Sequence, residues 1–123
     1  MVIDTSIFID HLRAKDKHTT TLYLLPENPE IYISTVTLYE LYMGATTKEK
    51  ENDIKILTED LIKLDFTKEI ASKSAFLYHF LRKKNKMIEF RDIFIAATCI
   101  VNDLPLLTHN RKHFIRIEGL KLI

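Results

Sequence analysis

The chain opens on three apolar residues, Met1 to Ile3, cut off by Asp4, which predicts a short strand ending at that acid. Thr5 or Ser6 can cap the helix that follows, whose apolar positions are Ile7, Ile9 and Leu12. A second helical stretch is expected over residues 16–25, ended by PENP, where Pro26 and Pro29 mark a loop. IYIS, from Ile31 to Ser34, predicts a second strand. A helix over residues 35–43 comes next, with Gly44 as its stop. KEKENDIKIL predicts an amphipathic helix with Ile54, Leu57 and Leu61 on one stripe. Ile62, Leu64 and Phe66 then alternate with Lys63 and Asp65, the period of a half-exposed strand. Ile70, Ser74, Leu77 and Leu81 recur at helical spacing up to the basic run RKKNK. Residues 92–101 predict a nearly all-apolar helix, PLLT (105–108) a strand, residues 110–114 a turn, and LKLI a last short strand.

Strands that alternate with helices imply right-handed crossovers and a parallel sheet covered on both faces. The expected fold class is α/β: three α/β/α layers around a central, mainly parallel sheet of about five strands, in a single domain over residues 1–123. Hydrophobic residues make up 46% and charged residues 28%, which excludes a disordered tail and leaves enough apolar surface for one core. Lys and Arg number 18 against 17 for Asp and Glu, so any hold on nucleic acid must come from a local basic patch rather than from bulk charge. Cys99, the single cysteine, cannot pair within the chain, which fits a reducing compartment and hence the cytoplasm. The N-terminus has no basic leader region and no apolar run approaches ~18 residues, so neither a secretion signal nor a membrane span is expected.

The placement of the acids is the informative feature. Asp4 is the only charged side chain in the first nine residues, Glu40 the only charge between Ile31 and Thr47, and Asp92 directly precedes the charge-free run IFIAATCIVN. An unpaired carboxylate at an apolar boundary costs several kcal/mol, so all three need compensation. A divalent cation such as Mg²⁺ or Mn²⁺, which prefers hard oxygen ligands and few carboxylates, supplies it. Ligands of an open parallel sheet gather at the carboxyl ends of its strands. Asp4 stands at such an end, Thr108 to Asn110 at another, and Glu40 and Asp92 lie near helix starts on the same edge. Each residue also has a local reading. Asp4 and Asp92 suit helix N-termini, Thr37-Leu38-Tyr39-Glu40 matches a capping box, and Thr108 and Asn110 suit turns. Their conjunction on one edge is what favours a site.

The order strand–DTS, strand–S-T-V-T-x-x-E, RDxxIAAT and L-P-L-L-T-x-N-x-x-H-F resembles the PIN-domain ribonucleases, specifically the VapC-type toxins, over essentially the whole chain. The resemblance implies a PIN-like fold and a Mg²⁺- or Mn²⁺-dependent endoribonuclease, the toxin of a type II toxin–antitoxin pair. Its metal-binding acids fall on Asp4, Glu40 and Asp92, its fourth position on Asn110, with Thr5 and Thr108 as polar supports. It further implies a single-stranded or loop RNA substrate, a homodimer, and a small VapB-like antitoxin whose tail blocks the pocket. Two departures stand out. Glu89 adds an acid beside the site, either supporting it or, as favoured here, a solvated loop charge; and Asn110 is neutral, which leaves one charge fewer for a second metal.

An acidic pocket repels phosphate, so RNA requires cations nearby. Arg82, Lys83, Lys84, Lys86 and Arg91 are the first candidates, Arg111 and Lys112 the second, although RKKNK equally suits a solvated helix C-terminus. His79, His109 and His113 lack metal-site spacing, and His113-Phe114 is expected to close the last turn. Tyr39, Tyr42 and Met43 read as a dimer face or as core, with core the expectation. Two other classes compete. A receiver-like phospho-signalling domain would use Asp65 and Thr108 but wants an acidic pair after the first strand, where Asp4-Thr5 stands. An inactive PIN-like RNA- or protein-binding module would keep the fold without the chemistry, against which the intact acids argue.

Overall fold

A computed structural model describes residues 1–26 and 30–123. The elements follow as β1 (Val2–Ile3), α1 (Thr5–Arg13), β2 (Tyr32–Ser34), α2 (Thr35–Gly44), α3 (Lys48–Thr58), β3 (Ile62–Leu64), α4 (Lys68–Lys83), α5 (Phe90–Val101), β4 (Leu106–Leu107) and α6 (Arg111–Phe114). The sheet runs β3-β2-β1-β4 with every pairing parallel. Alternation along these short strands divides the core. Val2, Tyr32 and Leu106 point into a layer with Ile70, Leu77 and Leu81 of α4 and Ile93, Ile95 and Ala96 of α5. Ile3, Ile33 and Leu107 point the other way, onto Ile7 and Phe8 of α1, Leu41 of α2 and Ile54 of α3. The three-layer architecture is thus as expected.

Among the described residues four strands stand where about five were expected. The LKLI segment pairs with β4 only through the single parallel bridge Leu106↔Leu122, flanked by the Leu106 amide on the Lys121 carbonyl and the Ile123 amide on the Leu106 carbonyl, each at 2.9 Å. The reason lies in β4, which is two residues long before Thr108 turns away, so a fifth strand finds one partner residue. The helix expected over residues 16–25 is also absent. A 3₁₀ turn at Lys17–Thr19 is followed by irregular turns. The Thr19 and Thr20 hydroxyls donate to the Asp16 and Lys17 carbonyls, and Thr20 Oγ1 accepts the Tyr23 amide. Hydroxyls that bond the local backbone compete with the helical ladder. Pro29 of the expected PENP loop lies outside the described residues.

Helix ends are set by local chemistry. Ser34, Thr47 and Thr67 cap α2, α3 and α4, their hydroxyls accepting the Val36, Lys50 and Ile70 amides at 3.0, 3.2 and 3.3 Å. Ser34 as the cap displaces the capping box expected from Thr37 to Glu40: Thr37 is the third residue of α2 and is buried. At the far ends, α4 and α5 close with one motif. Asn85 (φ 52°) and Asp103 (φ 51°) adopt the left-handed conformation, and the Lys86 and Leu104 amides reach back to the Leu81 and Cys99 carbonyls at 3.0 and 2.9 Å. The first of these turns redirects the chain from α4 toward the start of α5.

Candidate active site

Asp4, Thr5, Glu40, Asp92 and Asn110 line one cleft of about 290 Å³ at the carboxyl edge of the sheet, together with Ser6, Ile9, Glu89, Arg91 and His113. Asp4 follows β1, Glu40 lies on the second turn of α2, Asp92 on the first turn of α5, and Asn110 at the start of α6. Three of the four helices that bring these residues in share a feature at their starts. Asp4, Glu89 and Asn110 occupy the N-cap positions of α1, α5 and α6, and none of the three side chains makes a capping hydrogen bond. The fourth, α2, which carries Glu40, is hydroxyl-capped by Ser34, as the packing helices α3 and α4 are by Thr47 and Thr67.

Asp4 is 2% exposed. Its Oδ2 accepts the Thr108 hydroxyl at 2.7 Å and the Ser6 hydroxyl at 2.8 Å. Those hydroxyls in turn accept the Asn110 amide at 2.9 Å and the His109 amide at 3.1 Å. Two hydroxyls therefore tie the β4–α6 connection to Asp4, which explains why a buried carboxylate is tolerated there. On the opposite wall, the Thr5 hydroxyl donates to Glu40 Oε1 at 2.9 Å, with the Thr37 hydroxyl 3.1 Å from the same Thr5 oxygen. Arg91 Nη1 lies 3.0 Å from Glu40 Oε2, and its Nη2 pairs with Glu89. His113 Nδ1 stands 3.3 Å from Asp92 Oδ2.

Burial pushes the Glu40 carboxyl above its ordinary range, against the Thr5 hydrogen bond and the Arg91 charge, which pull it down. Asp92 is raised first by burial and then by the charge of Asp4, with His113 opposing. These are carboxylates held near one another short of compensating charge. Among the described residues no group of three or more His, Cys, Asp or Glu side chains is placed to hold a metal ion together. Protein donors reach Oδ2 of Asp4 and of Asp92, and among the described residues none reaches either Oδ1. Hard oxygens without a full cage fit an ion such as Mg²⁺, which keeps several waters and takes one or two carboxylates.

The expected RNA contacts separate. Arg91 lines the cleft, whereas Arg82, Lys83, Lys84 and Lys86 do not. Arg82 donates to the Tyr78 hydroxyl at 2.7 Å, and Lys84 lies 4.9 Å from the Phe80 ring centroid. Arg111 donates to the Ile123 carbonyl at 2.6 Å. Tyr39, Tyr42 and Met43, expected in the core, are 61%, 39% and 56% exposed. Glu89, read as a solvated charge, is exposed yet lines the cleft and holds Arg91. Asp65, which a receiver-like site would need, is exposed beyond β3 and away from the cleft. The residues that sequence reasoning missed are Ser6 and His113. The signal for His113 was its spacing, one helical turn after Asn110.

A family model described as PIN domain matches residues 1–120. Ribonuclease VapC1 of Methanocaldococcus jannaschii is 30% identical over 126 residues, spanning 99% of this chain and 85% of the relative. Ribonuclease VapC2 of Rickettsia felis is 32% identical over 127 residues, spanning 98% and 94%. The chain belongs to the PIN domain family, in its VapC branch. Among solved structures, VapBC2 from Rickettsia felis bound to a DNA fragment from their promoter superimposes with a TM-score of 0.85 at 28% identity, over 99% of this chain and 96% of that one. VapBC-1 from nontypeable Haemophilus influenzae gives 0.82 at 25% identity, over 99% and 95%.

Proposed function

We propose that this protein is a metal-dependent endoribonuclease that hydrolyses RNA phosphodiester bonds, the toxin of a type II toxin–antitoxin pair acting in the cytoplasm. The observation that carries the reading is the meeting of Asp4, Glu40 and Asp92, each the lone acid of its segment, in one cleft. The VapC ribonucleases matched along nearly the whole chain supply the substrate class.

Asp4, Glu40 and Asp92 are the residues to hold Mg²⁺ or Mn²⁺, and such an ion supplies Lewis acidity and counter-charge at the phosphate. The chain's own groups do the rest. Thr108 and Ser6 fix the Asp4 carboxylate through Oδ2 and leave Oδ1 to the cleft. Thr5 orients Glu40 in the same way. Asn110 offers a neutral amide at the cleft wall, and His113, beside Asp92, is placed to hold or pass a proton at Nδ1. Arg91 supplies the positive charge that draws a phosphate into an acidic site.

The partner reading rests on the VapBC structures together with a second cleft, of about 270 Å³, lined by Ile9, Leu12, Leu41, Ala45 and Ile54. That groove shares Ile9 and Glu40 with the acidic cleft, so a segment of a small VapB-like antitoxin seated there ends at the catalytic acids. The exposed Tyr39, Tyr42 and Met43 on α2 offer a face to a second copy of the chain.

The test is cleavage of single-stranded RNA by purified protein with Mg²⁺ or Mn²⁺, lost in EDTA and lost in Asp92→Asn. Cleavage that survives excess chelator removes the metal mechanism. RNA binding without cleavage under any divalent ion replaces the enzyme with a PIN-like binding module.

A further inference from the structure

Phe90 is the first residue of α5 and leaves 61% of its surface exposed, although its chain neighbours Glu89 and Arg91 both line the acidic cleft. Phe90 itself does not line the cleft, but consecutive Cα atoms stand ~3.8 Å apart, so its backbone lies beside the rim that Glu89 and Arg91 form. A helix gains nothing from an aromatic residue at this position by propensity, and an exposed ring gains nothing from burial. The ring is nevertheless held. Tyr78 of α4 meets it edge-on, with centroids 6.0 Å apart and planes inclined by 61°. Tyr78 is itself fixed by Arg82, which donates to its hydroxyl and lies 6.0 Å from its ring centroid.

The segment that leads up to Glu89 is one-sided in charge. From Tyr78 to Ile88 the chain carries four cations (Arg82, Lys83, Lys84 and Lys86) and no acid. The left-handed turn at Asn85 folds this run back toward Phe90. Lys83 and Lys86 are exposed. An exposed aromatic face among cations, one residue from a phosphate-handling cleft, is what sequence-tolerant binding of single strands uses: the ring stacks a base and the cations track the backbone. A protein helix would instead want a continuous apolar stripe, and the residues flanking the ring, Glu89, Arg91 and Asp92, are all charged.

We propose that Phe90 is a stacking platform for one unpaired nucleobase of the RNA, with Lys83, Lys86 and Arg91 following its backbone into the cleft. The proposal rests on the ribonuclease reading and adds the feature by which substrate is chosen. A base paired in an A-form duplex has its faces covered by its neighbours, so the platform selects unpaired nucleotides.

The chain contains no tryptophan, so Phe90→Trp installs a single indole reporter at the platform. A short single-stranded oligoribonucleotide titrated in EDTA should quench that indole, with the same midpoint as the anisotropy of a labelled oligonucleotide. A duplex of the same length should leave it unchanged. Phe90→Ala should weaken single-strand binding by roughly five- to a hundredfold and raise KM for cleavage in Mg²⁺, while Phe90→Tyr and Phe90→Trp keep both near wild type. Phe90→Ala that binds and cleaves like wild type, or an indole unmoved while anisotropy reports bound RNA, overturns the platform and leaves the ribonuclease reading standing. An indole moved by a co-expressed protein partner and not by RNA also overturns it and assigns the ring to a protein interface. If wild type itself neither binds nor cleaves RNA, both readings fall.

Discussion

Arg91 and Glu40, fifty-one residues apart, form an ion pair across the mouth of the acidic cleft, with Nη1 3.0 Å from Oε2. A guanidinium there neutralises the very carboxylate that a divalent cation would use. Arg91→Gln should therefore move two properties in opposite directions. Without metal, Glu40 loses its counter-charge and the protein loses about 1 kcal/mol or less, the scale of a partly exposed pair. With Mn²⁺, the variant should show a larger thermal shift than wild type, since the competing charge is gone. Paired melting curves with and without Mn²⁺ measure both. Equal shifts would mean that Arg91 does not compete for the site.

Glu40 and Asp92 make the metal-free protein sensitive to pH in a direction unusual for acids. Burial raises both carboxyls in the folded chain above their unfolded values of 4.5 and 3.8. The folded state thus binds these protons more tightly, so their contribution to stability is full below the unfolded values and lost as pH rises through the folded ones. Asp92→Asn removes one of the two penalties. In EDTA its urea midpoint should exceed that of wild type at pH 7, and the two should converge below pH ~4. Parallel curves at all pH values would show that Asp92 is fully compensated without metal.

Much of this site was legible because lone acids in apolar segments are conspicuous, and strand ends locate them on one edge. Asp4, Glu40 and Asp92 were found in that way, Asn110 from its strand end and the family resemblance, and the structure brings all four to one cleft. Tyr39, Tyr42 and Met43 were misread for a physical reason. In α2, Val36 packs on one layer and Leu38 and Leu41 on the other, so the helix is apolar nearly all round and offers no polar stripe to mark its outer face. The fifth strand was misread because the pattern of LKLI cannot show that its neighbour β4 is only two residues long. Ser6 bonds Asp4, two residues before it, and reads equally as a cap residue; His113 meets Asp92, a pairing that the pattern of the chain does not report.

The turn that presents the basic run is a separate, structural target. Asn85 adopts φ 52°, a conformation that costs an ordinary L-residue roughly 1–2 kcal/mol and glycine almost nothing. Asn85→Ala should lower stability by about 1 kcal/mol, some 3–5 °C for a chain of this length, whereas Asn85→Gly should stay within a few tenths of wild type. Calorimetry of the two variants decides it. Equal losses for alanine and glycine would place the role of Asn85 in its side chain rather than in its backbone.

Asp4→Asn separates a cation ligand from a helix cap. Asp4 occupies the N-cap position of α1, yet its carboxylate turns to Ser6 and Thr108 and makes no capping bond. Asparagine caps as well as aspartate, and its carbonyl oxygen can accept the same two hydroxyls, so the metal-free fold has little to lose. It has something to gain, because the charge of Asp4 is part of what raises Asp92, and removing it relieves that repulsion. The metal-free variant should therefore melt at or slightly above the wild-type temperature. Wild type should be stabilised by millimolar Mn²⁺ by RT ln(1 + [L]/Kd), since only the native chain gathers the carboxylates. The variant puts an amide donor where an oxygen ligand stood, and it should lose most of that stabilisation together with RNA cleavage. An Asp4→Asn protein that still cleaves RNA and still shows the wild-type Mn²⁺ shift would remove Asp4 from the metal site and leave it a structural acid held by two hydroxyls.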